Sequence, residues 1–196
     1  MKKVFLSIVA ILAFGFTNAQ TVKFGVKGGL NVTTITGGEL SASSKVGFHV
    51  GGLAEIKFGE KFAVQPELLY STKGAKSNYD FGFGGGDLEN NLSYIDLPVM
   101  VKYFVIEGLS IEAGPQVSFL IDANQKFDGE SEDIKEFMNT VDFGFNIGAG
   151  YALPNGLMFQ ARYNLGLMDI SKEEDGAFTN YDEKNNGFQI SVGYMF

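Results

Sequence analysis

The sequence predicts an all-β fold, an eight-stranded antiparallel up-and-down transmembrane β-barrel, and three observations carry that prediction. Alternation of apolar and polar residues with period two recurs eight times between Val22 and Phe196. The connections between the alternating segments are short and long by turns. Glycine at 26 residues and phenylalanine at 19, with four prolines and no tryptophan, suit an aromatic-rich β protein with many crowded backbone positions.

Before the first strand, "MKKVFLSIVAILAFGFTNA" places Lys2 and Lys3 ahead of an apolar run of 13 residues, Val4 to Phe16, and ends on small residues at Ala19. A spanning helix needs about 20 residues. Residues 1–19 therefore read as a cleaved signal peptide, with a short membrane anchor as the competing reading, and residues 20–196 as one barrel domain.

In the first strand, "VKFGVKGGLNV", Phe24, Val26, Leu30 and Val32 share one face and Lys23, Lys27 and Asn31 the other. The second, "VGFHVGGLAEIKF", sets Val46, Phe48, Val50, Ala54, Ile56 and Phe58 against His49, Glu55 and Lys57. The third, "FAVQPELLYST", sets Phe62, Val64, Pro66, Leu68 and Tyr70 against Gln65, Glu67 and Ser71. In the fourth, "YIDLPVMVKYF", Leu97, Val99, Val101 and Tyr103 oppose Asp96, Met100 and Lys102; in the fifth, "LSIEAGPQVSFLI", Leu109, Ile111, Ala113, Val117 and Phe119 oppose Ser110, Glu112, Gln116 and Ser118. The last three, "VDFGFNIGAGYAL", "LMFQARYNLGL" and "GFQISVGYMF", continue the alternation to the terminal Phe196. No charged residue falls on the apolar register.

Short turns at "GEK", "IEG" and "PNG" separate strands two and three, four and five, and six and seven, whereas longer polar loops span residues 33–44, 73–91, 122–140 and 168–186. Outer-membrane barrels have this asymmetry, with short periplasmic turns and long extracellular loops. A soluble barrel around an apolar ligand would invert the two faces, and alternation alone does not separate the cases. Three features favour the membrane: glycines and charges on the polar face, aromatic residues near strand ends (Phe58, Phe62, Tyr70, Tyr94, Tyr103, Tyr151, Tyr194), and an aromatic last strand.

The blocks "FGVKGGLN", "GFHVGGLAEIKF", "FAVQPELLYSTKGAK", "YIDLPVMVKYFVIEGLSIEAGPQVSFLI" and "GFQISVGYMF" resemble the PorT-like outer-membrane β-barrel family of Bacteroidota over Val22 to Phe196. The resemblance implies an outer-membrane location and eight strands. It brings no catalytic motif, cofactor or defined substrate, and only a weak pointer to secretion or gliding machinery.

Composition narrows the function. The absence of cysteine excludes disulfides, thiolate catalysis, Cys-ligated metals and lipid attachment through Cys. Without Lys2 and Lys3 the chain holds 13 basic against 23 acidic residues, a net charge of −10, which disfavours nucleic-acid binding. His49, the one histidine, lies on the polar register with no G-x-S-x-G elbow in the chain, and reads as a lumen residue. "GFGGGD", residues 82–87, lacks the Lys-Ser/Thr of a phosphate loop and reads as a loop tip. The acidic stretches 128–136 and 172–187 lack EF-hand spacing and read as solvated loops, with loose divalent-cation association as the alternative. No cofactor, metal or catalytic residue is expected. Pro66, Pro98 and Pro115, each without a ladder donor, are expected to cause bulges or broken ladder bonds at similar heights.

The candidate site is the lumen. Lys27, Glu55, Glu67, Lys102, Glu112 and Arg162 point inward by period two at similar heights, and the interior of an eight-stranded barrel is just wide enough for side chains to fill. Unpaired charges there are costly, so three acids and three bases are expected to form a balanced network around Arg162, the one arginine, with Gly28, Gly51, Gly148 and Gly150 leaving room. A wet lumen with separately hydrated charges is the competing arrangement. The resulting expectation is a non-enzymatic envelope structural or interaction protein, set in outer-membrane lipid and meeting envelope proteins through its extracellular loops. A small-solute pore comes second and a lipid-active enzyme built on His49 third.

Overall fold

The computed structural model describes residues 20–37, 43–80, 85–127, 130–172 and 182–196. The segment read as a signal peptide lies outside them. Among the described residues nine strands follow in chain order: β1 (Gln20–Thr36), β2 (Ser43–Phe58), β3 (Phe62–Asp80), β4 (Gly85–Phe104), β5 (Leu109–Phe127), β6 (Glu130–Asp133), β7 (Val141–Ala152), β8 (Leu157–Gly166) and β9 (Lys184–Met195). All pairings are antiparallel between sequence neighbours, with β5 pairing β7 past the short β6; β1 pairs β9 and β4 pairs β5, so eight strands close into a barrel. Closure leaves those strands no free edge, the condition for β structure in hydrocarbon.

Three tight turns join β2 to β3, β4 to β5 and β7 to β8, and each is made by a glycine with positive φ: Gly59 at 71°, Gly108 at 81° and Gly156 at 92°. Residues with a Cβ adopt that region reluctantly. Gln20 opposite Phe58, and Phe196 donating its amide to the Phe24 carbonyl, put the first described residue and Phe196 on this short-turn side.

Alternation determines the two faces. Phe24, Val26, Leu30, Phe48, Val101, Ile147 and Ile190 stand outward and exposed, part of an apolar belt far larger than water-soluble monomers carry. Phe62 and Tyr103 stack on this face at 5.3 Å, and Tyr194 meets Phe196 at 5.7 Å, both beside the short turns. Tyr94 corrects the expected aromatic girdle, because it shares parity with Asp96 and is fully buried in the lumen. Gly28 likewise faces outward with Val26 and Leu30; its neighbour Gly29 is the inward one.

The wall is taller than expected at the long-loop end. β3 and β4 remain paired up to Asp80↔Gly85, through residues read as loop, and Gly85 to Asp87 of the glycine cluster belong to β4, while residues 82–84 lie outside the described chain. Much of the acidic stretch 128–136 forms β6 and the start of a 3-10 turn (Lys135–Phe137). At the prolines the register does not shift. Pairing steps from Leu53↔Glu67 to Ile56↔Val64 past Pro66, and from Pro98↔Gln116 to Val101↔Ala113 past Pro115, so the ladder is interrupted without a bulge. Register shifts fall elsewhere, between Ser93 and Tyr94 and between Ser44 and His49.

Candidate functional site

The lumen is filled in layers. At the short-turn end Leu53, Met158 and Met195 form an apolar floor. At the other end Leu92, Tyr94, Leu120, Ala123, Met138 and Ile170 form an apolar lid, of which Met138 and Ile170 come from connections folded over the mouth. Backbone bonds from Asn139 N to Ile170 O and from Lys172 N to Phe137 O hold those connections together. Polar side chains lie between floor and lid.

Between and beside the floor residues the structure brings all six candidate residues into one connected network, with the Glu55–Lys102 pair nearest the short-turn mouth. Arg162 donates from Nη1 and Nη2 to the two oxygens of Glu67, at 2.9 and 2.7 Å, and from Nε to Glu112 at 2.6 Å. Lys27 completes the shell of Glu67 at 2.7 Å, and Lys102 pairs Glu55 at 2.6 Å. Two neutral amides that period-two reasoning about charges overlooked join the parts. Gln65 donates to Glu67 at 2.6 Å and accepts from Lys102 at 3.0 Å; Gln160 donates to Glu112 and accepts from Lys27, both at 3.2 Å. The side chains of Lys27, Glu67 and Glu112 have no exposed surface, and that of Arg162 has 1%. Every buried charge here meets an opposite one, the arrangement in which burial is tolerable.

Cross-strand register explains how chains this long fit. Arg162 pairs Gly148, and Gly148 pairs Glu112, so the guanidinium crosses β7 over a residue without a side chain. A Cβ on Gly148 would stand 2.8 Å from Arg162 Cγ and 2.3 Å from the Ala161 carbonyl oxygen. Lys27 is flanked in the same way by Gly51 and Gly193.

Above the network lies a neutral layer. His49 Nδ1 contacts Asn31 Oδ1 and its Nε2 contacts Ser191 Oγ, each at 2.7 Å, while Asn31 donates to Ser71 at 2.9 Å. His49 is thus held between two neutral partners in a packed interior, with no carboxylate among its hydrogen-bond partners.

A second charged group, absent from the candidate set, sits under the lid. Lys73 donates to Asp96 Oδ1 at 2.9 Å and to Ser118 at 3.3 Å, and Asn185 donates to Asp142 Oδ2 at 3.1 Å and to the Tyr94 hydroxyl at 3.2 Å. Asp96 and Asp142 already lay in segments read as strands, Asp96 on the polar register, but neither was joined to a charge group; Lys73 stands at a strand stretch read as the start of a loop, which hid it. Among the described residues no group of three or more His, Cys, Asp or Glu residues is placed to hold a metal ion. A cavity of about 580 Å³ opens at the short-turn mouth, and its lining includes Met158 and Met195 of the floor and Glu55 and Lys102 of the network.

The fold has solved counterparts. Neisserial surface protein A (NspA) superposes with a TM-score of 0.60 at 14% identity, covering 90% of this chain and 99% of its own. Ail, the attachment invasion locus protein of Yersinia pestis, solved with the heparin analogue sucrose octasulfate, superposes at 0.51 with 13% identity, covering 89% of this chain and 99% of its own. Identities this low show a shared architecture. No curated protein matches the chain. The model of the outer membrane protein beta-barrel domain matches residues 18–172, most of the chain, and with the closed barrel and its apolar belt this makes the protein a member of the outer membrane protein beta-barrel domain family.

Proposed function

We propose that this outer-membrane barrel is a non-enzymatic envelope protein that acts through its long-loop end and outer surface, with a lumen closed to solute flow. The observation that carries this reading is the filling of the lumen: an apolar floor, a buried ion-pair network and an apolar lid occupy it with side chains. Opening a path through the network would strip Arg162 or Lys27 of its partners in a poorly hydrated interior, and each unpaired buried ion costs several kcal/mol, on the order of 3–5. The PorT-like resemblance over Val22 to Phe196 and the signal-like first 19 residues support export to a Gram-negative envelope of the Bacteroidota type.

The long-loop end supplies the contact surface. Residues 122–140 and 168–186 each carry six acids against two bases, so a partner there presents basic or neutral surface. Polyanion binding, as in the complex of Ail with sucrose octasulfate, does not suit that charge.

Planar-bilayer recording of the purified protein tests the closed lumen: no sustained conductance is expected, and steady single-channel steps would replace this reading with a small-solute pore. Deletion within residues 173–181 is expected to abolish capture of envelope partners while the barrel still folds. Capture unaffected by the deletion would remove the role of that loop.

A further inference from the structure

The two charged layers of the lumen differ in balance. Around Arg162 three acids meet three bases, whereas under the lid Lys73 alone faces Asp96 and Asp142. Other described bases lie outside this layer: Lys45 and Lys76 engage Glu89, Lys57 lies near Glu55, Lys184 holds Asp182, Lys135 and Lys172 bind backbone carbonyls, and Lys23, Lys61 and Lys126 are exposed. The undescribed stretches between residues 37 and 182 contain no Lys, Arg or His that could make up the difference. The upper lumen therefore holds one more acid than base within a buried layer, and with both carboxylates ionised it carries one excess negative charge.

The same layer holds unused acceptors. Asp96 Oδ2, Asp142 Oδ1 and Asn185 Oδ1 are buried oxygens without a hydrogen-bond partner, on residues that are 0%, 4% and 1% exposed. Register brings them together: Asp96 pairs Ser118 and Ser118 pairs Asp142, making one inward row across β4, β5 and β7, and Asn185 reaches the same row from β9 through its bond to Asp142. Buried polar atoms are nearly always partnered, so three orphans in one layer ask for an electropositive occupant.

We infer that Asp96, Asp142 and Asn185 form a binding site for a single monovalent hard cation of sodium size. One positive charge cancels the excess, and oxygen-only ligands at about 2.3–2.6 Å suit a hard ion. With Lys73 already paired to Asp96, the two carboxylates leave too little net negative charge for a divalent ion. A proton is the competing occupant, but a proton on one carboxylate supplies one donor and leaves at least one of the three oxygens unmet, with Ser118 standing between the two acids. The apolar lid above the row excludes bulk water and keeps the ion's ligands fixed.

The unfolding midpoint of the refolded mature barrel in micelles, measured at constant pH and ionic strength in sodium chloride and in choline chloride, tests the site. The midpoint is expected to be higher in sodium and to rise with sodium concentration to a plateau, because a ligand of the native state stabilises by mass action. Asp142→Asn, which removes the excess charge without changing shape, is expected to lose that response. In parallel, the sodium-23 resonance is expected to broaden with wild-type protein and to sharpen with the variant. Coincident wild-type midpoints in the two salts overturn the site, as does an Asp142→Asn barrel that keeps the full sodium response. A midpoint that follows pH and ignores the cation assigns the place to a proton and overturns it too. The wild-type salt comparison and resonance decide the matter even if the variant fails to fold.

Discussion

The lower and upper halves of this lumen are built by the same alternation and yet solve the burial of charge differently. Below, Glu67 receives Lys27 and both terminal nitrogens of Arg162, and no member of the six-residue network lacks an opposite charge. Above, Asp96 receives one lysine, Asp142 receives the Asn185 amide and no cation at ion-pair distance, and three side-chain oxygens remain unmet. Charge complementarity completed by protein groups yields a rigid cross-brace joining β1, β3, β5 and β8. Incomplete complementarity leaves a place for something else.

The sharpest way to break the comparison is to make the lower half resemble the upper. Arg162→Ala strands Glu67 and Glu112 in a dry layer with Lys27 as their one remaining cation, and should cost about 3–5 kcal/mol of barrel stability. Glu67→Gln should cost a similar amount by leaving Arg162 and Lys27 to share Glu112. Urea unfolding in lipid vesicles measures both; indifference to either would mean that the network is hydrated and that the charges act separately.

The outer wall supplies the next largest effect and tests which solvent it meets. Val101 is outward and 52% exposed, midway along the apolar belt, so Val101→Arg should cost about 2–4 kcal/mol in a bilayer. Gln160→Asn, on the lumen side, keeps a polar amide and loses only reach to Glu112 and Lys27, for about 1 kcal/mol. Equal tolerance at the two positions would contradict the assigned faces.

Much of this architecture was legible because period two reports face directly. The eight long strands, the three glycine turns and the inward direction of all six network residues follow from it. What it missed has physical causes. Above the apolar belt β3 and β4 stay paired while both faces are polar, so alternation disappears although the ladder continues to Asp80↔Gly85. Lys73 was lost with that boundary, whereas Asp142, inside the sixth strand as read, was passed over because its partners Asn185 and Tyr94 come from a stretch read as loop and from a residue assigned outward. Leu53, Met158 and Met195 violate the polar-inside rule at the floor, where an apolar seal replaces hydration. Tyr94 was assigned by type and not by parity. Pro66 and Pro115 interrupt pairing as expected, but their neighbours keep step, since a missing donor removes a bond without inserting a residue.

Gly148 sharpens the comparison at smaller scale, because it is where backbone crowding and the network meet. Gly148→Ala places a methyl group 2.8 Å from Arg162 Cγ and against a carbonyl oxygen that cannot move without disturbing β8. The expected loss is about 1–3 kcal/mol, as for other overpacked interiors. If the loss arises through the network, Gly148→Ala and Arg162→Ala should be strongly non-additive in a double-mutant cycle. Additive losses would locate the clash in the backbone alone.

The smallest effect is the one that separates the two halves most clearly. Asp142→Asn and Glu67→Gln are the same chemical change, a carboxylate replaced by its amide at a buried lumen position. In the lower layer the change unbalances three acids and three bases. In the upper layer it removes a charge that only Lys73 offsets and that already lies beside Asp96, leaving one acid with one base. Measured in choline chloride, where no small cation compensates, Asp142→Asn should therefore shift stability by less than about 1 kcal/mol and in the stabilising direction, against a loss of about 3–5 for Glu67→Gln. The new amide can still accept from Asn185 through its oxygen, so the bond to β9 survives. Equal losses for the two substitutions in choline would show that Asp142 has a compensating partner of its own, and the contrast between a balanced lower layer and an acid-rich upper one would fall.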